Sequence, residues 1–316
     1  MKKWLKLEGL LVLFGSICIV FESCHENKNQ EGIGDMAMNK TAVKPISKKP
    51  LSKEFKDYWY AGNAEVTSYA LEQAHYGELR EGKAVLIYVT EPFVADLQVK
   101  ADQNDPTNIP VLKLNSTKKY LTGIYPYSIM NSSFYPVHDN QHALKVTFSS
   151  QDWCGHVFTQ LNNREKFNIK SFSYFENEGD KDFMLEKNLL ENELWNKIRI
   201  NPSALPLGNF EMIPSFEFLR VSHKELKPYP VSASVDTSES ITTYKITYPT
   251  LQRTLEINFN SDFPFSIESW SDSFTSGYGD NARTMVSKAS KIKTIKTPYW
   301  RQNGNNSLSL RDTLGL

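Results

Sequence analysis

Along most of the chain, polar and apolar positions alternate with a period of two or gather into short apolar runs, and both patterns read as β-strands. The run AVLIYVT at 84–90 is continuously apolar and β-branched, as expected of a strand covered on both faces. Residues 80–83 (REGK) before it read as a hairpin turn. Alternation predicts further strands at 65–76, 142–149, 153–161, 167–175, 215–221, 240–248, 251–259, 265–274 and 284–296, with Pro249-Thr250 turning the chain between two of them. One segment, 182–199, repeats every three to four residues instead. It places Phe183, Leu190, Leu194 and Ile198 on one stripe, with Asp180 or Asp182 to cap it and Asn201-Pro202 to stop it. The pattern predicts a mainly β (α+β) fold: a large curved antiparallel sheet or half-barrel, one face plugged by an amphipathic helix at about 182–199.

The two ends of this pattern differ. Residues 1–23 read as a lipoprotein signal peptide, with Lys2, Lys3 and Lys6 ahead of an apolar run at 9–21 that is too short to span a bilayer comfortably. The run stops at Ser23-Cys24, where Cys24 would be acylated, palmitate-type chains anchoring it at about 0.8 kcal/mol per buried CH2. Residues 24–52 are polar and read as a flexible tether, leaving 53–316 as a single β-rich domain. Export implies the cell envelope, a membrane-anchored product on the periplasmic or surface side of an outer membrane.

Charge and cysteine content narrow the partners. Lys plus Arg equals Asp plus Glu at 36 each, so no basic excess points to nucleic acid. Of three cysteines, Cys18 falls in the signal and Cys24 takes the lipid, so Cys154 is left without a disulfide partner. Cys154 stands in DWCGHVFTQL beside Asp152 and His156. On a strand, Cys154 and His156 share a face about 7 Å apart, so a Cys–His hydrolase or acyl transferase is geometrically open. Mid-strand position leaves no free N–H groups to receive an oxyanion, which favours a buried, packed thiol. Gly155 leaves room for a neighbouring side chain, an aromatic one on this reading. His138 and His142 fall in a turn and the acidic 176–182 segment in a loop, so neither predicts a metal, and no cofactor motif occurs. The aromatics Trp59, Tyr60, Tyr125, Tyr127 and Tyr174 are candidates to line a surface for a lipid, another apolar ligand or an envelope protein, core packing being the alternative.

Several phrases, WYAGNAEVTSYALEQAHYGELREGKAVLIYVTEPF, TGIYPYSIM, DWCGHVFTQLNNR, FSYFENEGD, ELWNKIR, TPYWRQN and LRDTLGL, are together similar to one family of bacterial envelope lipoproteins. Its members often carry the label septum formation inhibitor Maf. Maf nucleotide pyrophosphatases have a Ser-x-Ser-Pro-Arg-Arg phosphate-binding motif, and Ser-Pro-Arg-Arg occurs nowhere in this chain. The resemblance therefore implies an envelope lipoprotein and no catalytic residue. The sequence predicts a lipid-anchored, non-enzymatic envelope protein that binds an apolar ligand or an envelope partner.

Overall fold

The computed structural model describes residues 48–316; the signal segment, Cys24 and the tether up to residue 47 lie outside the described residues. Helix α1 (Lys53–Trp59) comes first, its N-terminus closed by the Ser52 hydroxyl, which accepts from Phe55 N–H at 3.0 Å. A meander follows: β1 (Ala64–His75), β2 (Glu78–Val94), the short β3 (Val99–Lys100), β4 (Ile109–Thr122), β5 (Tyr125–Pro136), β6 (Lys145–Asp152), β7 (Gly155–Asn163), β8 (Phe167–Ser173) and β9 (Lys181–Leu185). After β10 (Leu189–Leu190) come α2 (Glu191–Ile200), β11 (Gly208–Ile213) and α3 (Phe216–Val221). A second meander runs through β12 (Tyr229–Ser238), β13 (Ile241–Tyr248), β14 (Arg253–Asn260), β15 (Ile267–Ser276) and β16 (Arg283–Thr297), and α4 (Ser309–Thr313) ends the chain.

Strand β16 pairs antiparallel with β1 from Ala64 opposite Thr297 to Glu72 opposite Lys288, which joins the meanders into one curved sheet. The sheet does not close, because its outermost strands are β9 and β10. Among the described residues, only β10 and β11 pair in parallel. The expected large curved antiparallel sheet is the observed architecture.

Alternation decides what the curve encloses. Ala84, Leu86 and Tyr88 of β2, Tyr244, Ile246 and Tyr248 of β13, and Leu255, Ile257 and Phe259 of β14 all turn into one buried core. Leu194 and Ile198 of α2 and Phe216, Phe218 and Leu219 of α3 complete it. The opposite face of β1 and β2 is apolar too, and Leu314 and Leu316 cover Val66, Val85, Ile87 and Val89 there. Segment 84–90 is thus covered on both sides, as its unbroken apolar run predicts.

Four expectations are corrected. The helix begins at Glu191, not 182: Lys181–Leu185 pairs with β8 in unbroken register, Phe183 opposite Ile169, so its period-two component prevails over the helical stripe. It is also one of four short α-helices among the described residues. Residues 216–221 form α3 and not a strand, because the Ser215 hydroxyl accepts from Phe218 N–H and starts a helical turn that the spacing of Phe216 and Leu219 also satisfies. Finally, 80–83 lies inside β2, and the chain reverses earlier, at Tyr76-Gly77, where both residues have positive φ.

Candidate functional site

Strand direction gathers the turns at 76–77, 123–124, 153–154, 174–180 and 277–282 at one end of the sheet. Cys154 is in the 153–154 turn, exposed, and not in a strand as its neighbours predict. Asp152 accepts from Cys154 N–H at 2.5 Å, a side-chain bond that reinforces the turn between the paired residues Asp152 and Gly155. The same carboxylate, by hydrogen bond and charge, pushes the thiol up from its ordinary value and disfavours the thiolate. His156 lies on β7, opposite Gln151, and makes no hydrogen bond to the thiol. Sequence places Asp152, Cys154 and His156 together; the structure keeps Asp152 against Cys154 and sets His156 on β7. The aromatic neighbour expected at Gly155 is Tyr174, whose ring carbon lies 3.0 Å from where a Cβ would stand.

The same end carries an aromatic cluster. His75 Nδ1 is 2.7 Å from the Tyr120 hydroxyl, and the Tyr76 and Tyr127 hydroxyls are 2.6 Å apart. The rings of Tyr120 and Tyr127 stack at 5.3 Å, and Tyr125 stacks on Trp153 at 6.2 Å. Burial, helped by the charges of Arg80 and Arg220, drives the His75 imidazole down to about 4 and keeps it neutral. Tyr127 is buried in this cluster, whereas Tyr125 is half-buried and Tyr174 is 79 % exposed. Ile124 at 83 % and Trp153 at 69 % are also bare at the turn tips, where polar residues are usual. Trp59 is corrected from surface to core: it lies under the Arg199 guanidinium, 4.9 Å from its ring, at the other end of the molecule, near half-exposed Tyr60.

The interior holds charge that the sequence did not single out. Helix α2 has no exposed residue, and its polar residues meet partners from the sheet, its turns and α3. Arg199 forks onto Glu65 at 2.6 and 2.7 Å. Arg253 forks onto Glu191 at 2.6 and 2.8 Å and also bonds Asp272 at 2.8 and 2.9 Å. Burial raises Asp272 above the usual carboxylate range despite Arg253. Burial pulls Glu191 the same way, but Arg253 and the Tyr248 hydroxyl hold it below that range. Glu193 accepts from Ala143 N–H at 2.8 Å and is 2.9 Å from His142 Nδ1, while His138 Nδ1 is 2.7 Å from the Lys49 carbonyl, so the two histidines serve different contacts. Alternation shows which positions turn inward, but pairing across so many intervening residues leaves no local mark.

Between α2, α3 and the sheet is a cavity of about 70 Å³ lined by Trp195, Trp270, Phe218, Ser133, Asn131 and Lys118 among others. Lys118 is 2.6 Å from Glu217 of α3, which also accepts from Asn131 at 3.0 Å. The Ser133 hydroxyl is buried without a partner. For comparison, an engineered apolar cavity of about 150 Å³ holds benzene, so this space takes a few waters or a small polar solute and no acyl chain.

No family model matches the chain, and no curated protein matches it. Among solved structures, a porin-like protein from Bacteroides uniformis aligns at 11 % identity over 73 % of this chain and 95 % of that one, with a TM-score of 0.20, a likeness too slight to carry fold or function across. The molecule's class is set by its own geometry: an open, curved antiparallel sheet wrapped around a buried helix.

Proposed function

We propose that this chain is a non-enzymatic, lipid-anchored protein of the cell envelope, exported and acylated at Cys24, whose folded part binds an envelope partner or an apolar ligand on its outside and not in its hollow. The observation that carries the reading is the filled interior. A ligand carrier with a curved sheet needs an apolar hollow, but α2 and its ion pairs fill the space against the sheet down to about 70 Å³, and the wider groove of about 930 Å³ between β9 and α3 carries Glu178, Lys181, Arg220 and Lys224. The bare Ile124, Trp153 and Tyr174 at one end of the sheet favour contact with another surface. The signal pattern and Cys24 support the anchor. The Asp152 carboxylate beside Cys154 speaks against the hydrolase or acyl-transferase alternative.

Metabolic labelling with an alkynyl palmitate tests the anchor. The full chain should take up label and sediment with membranes, and Cys24→Ala should abolish both. Unlabelled full-length protein in the cytosol would sink the proposal.

A further inference from the structure

Strand β9 is an outermost strand of the sheet, and its side away from β8 meets no strand among the described residues. Every second residue of such a strand directs its N–H and C=O outward, ready to pair with another extended chain. Natural edges are usually blunted by proline, a bulge or charge. Strand β9 (KDFML) has no proline, its register with β8 is unbroken, and its charges, Lys181 and Asp182, occupy only one end. Met184 is 67 % exposed on the outer face, where Phe172 (48 %) and Phe158 (37 %), paired across β8 and β7, also lie bare.

The inner face is prepared as well. Lys181, Phe183 and Leu185 point inward, opposite Ser171, Ile169 and Phe167. A groove of about 930 Å³ separates Lys181 and Phe183 from the α3 side, where Phe216, Leu226 and Lys224 line it. Glu178 is engaged by Arg220 and His223, and Glu225 by Lys227, while Lys181 and Lys224 stand in no ion pair among the described residues.

We propose that β9 is a docking edge for an extended segment of an envelope protein, which adds to the sheet as a further antiparallel strand. This rests on the partner half of the function proposed above. The register states the chemistry: apolar residues opposite Leu185, Met184 and Phe183, a basic one opposite Asp182, and an acidic one opposite Lys181. A second copy of this chain fits poorly. Two-fold pairing about Phe183 sets Lys181 against Leu185 and Asp182 against Met184. Pairing about Met184 sets Lys181 against Lys187 and Asp182 against Glu186.

The test uses the full chain in detergent and a fluorescein-labelled peptide, TVLIKET, read by polarisation and by hydrogen exchange of β9. The peptide should bind, slow exchange at 181–185 and lose about fivefold in affinity to Lys181→Glu, a cross-strand pair being worth up to about 1 kcal/mol. Changing only the peptide's Glu to Lys (TVLIKKT), which keeps a basic residue opposite Asp182, should restore binding to Lys181→Glu, which a merely damaged fold would not do. Met184→Lys, checked for an unchanged circular dichroism spectrum, should also weaken binding. Absence of protection at 181–185, or equal affinity of both peptides for both proteins, overturns the proposal. So does self-association of the chain that Met184→Lys abolishes. An envelope partner retained by Met184→Lys would overturn β9 as the site while leaving the proposed function standing.

Discussion

Arg253 holds two carboxylates, Glu191 buried and Asp272 half-buried, and they respond to it unequally. Glu191 takes a fork and the Tyr248 hydroxyl and stays ionised, while Asp272 is held less firmly and drifts upward. Removing the guanidinium strands both, so Arg253→Met should destabilise by about 3–5 kcal/mol in urea titrations. Glu191→Gln should lose more than Asp272→Asn, and the reverse order would show that the division of charge is misassigned. His75 gives a pH limb. The folded chain protonates it at about 4 and the unfolded chain near 6.5, so between those values the unfolded state binds more protons. Its contribution is complete above 6.5 and is lost as pH falls towards 4, about 3 kcal/mol at most. Asp272, shifted the opposite way, contributes with opposite sign, so comparison with His75→Phe isolates the imidazole. The variant should have a flatter stability profile between pH 4 and 6.5, and an unchanged slope would exclude His75 as its source. Cys154, exposed but held as a thiol, should react with maleimide in the native chain without denaturant. At neutral pH it should do so more slowly than glutathione, and Asp152→Asn should quicken it.

Elements depend on places where two backbones approach. Gly82 in β2 lies against β4, where an added Cβ would strike the Lys119 carbonyl oxygen and come within 2.8 Å of the Tyr120 Cβ. Glycine inside a strand is ordinarily a weakness, so alanine there usually helps. Here the sign reverses: Gly82→Ala should cost about 1–3 kcal/mol, since the two strands must part at a point that neither side chain can relieve. An unchanged thermal midpoint would contradict this close approach. The same scale shows what a reader of the sequence can and cannot see. Strands 142–149, 240–248 and 284–296 are legible because one face meets the core and the other does not, which writes a period of two. Strands β4 and β5 escape that reading because their inward faces carry Ser116, Lys118, Asn131 and Ser133, polar residues whose partners are α3 and the cavity. Residues 216–221 satisfy both periods, and the Ser215 cap decides between them. From its neighbours alone Cys154 reads as mid-strand, because nothing local announces that Asp152 will bond Cys154 N–H and turn the chain.

Over the whole molecule, the two meanders are joined along β16 and β1, and the last residues of the chain lie across the outer face of that region. Val66, Val85 and Ile87 face outward there, Leu314 is 6 % exposed against them, and the Leu314 carbonyl accepts from the Ser68 hydroxyl at 2.5 Å. The sheet thus has a second, smaller apolar layer outside its main core, built from positions that would otherwise be bare on β1 and β2. Removing 314–316 takes away Leu314 and Leu316 and uncovers β-branched side chains on β1 and β2. Full burial of one leucine is worth about 1.5–3 kcal/mol, so the truncated chain should lose about 2–4 kcal/mol, Leu316 being only partly buried. The inner core does not touch these residues, so the loss should appear as a lower urea midpoint with tertiary circular dichroism retained. The newly exposed patch should bind more of a hydrophobic dye in the native state than the intact chain does. Ser68→Ala, which keeps both leucines, should reproduce only the hydrogen-bond part, about 1 kcal/mol. If truncation and Ser68→Ala cost the same, the outer apolar layer contributes nothing, and β1 and β2 are held from the inside alone.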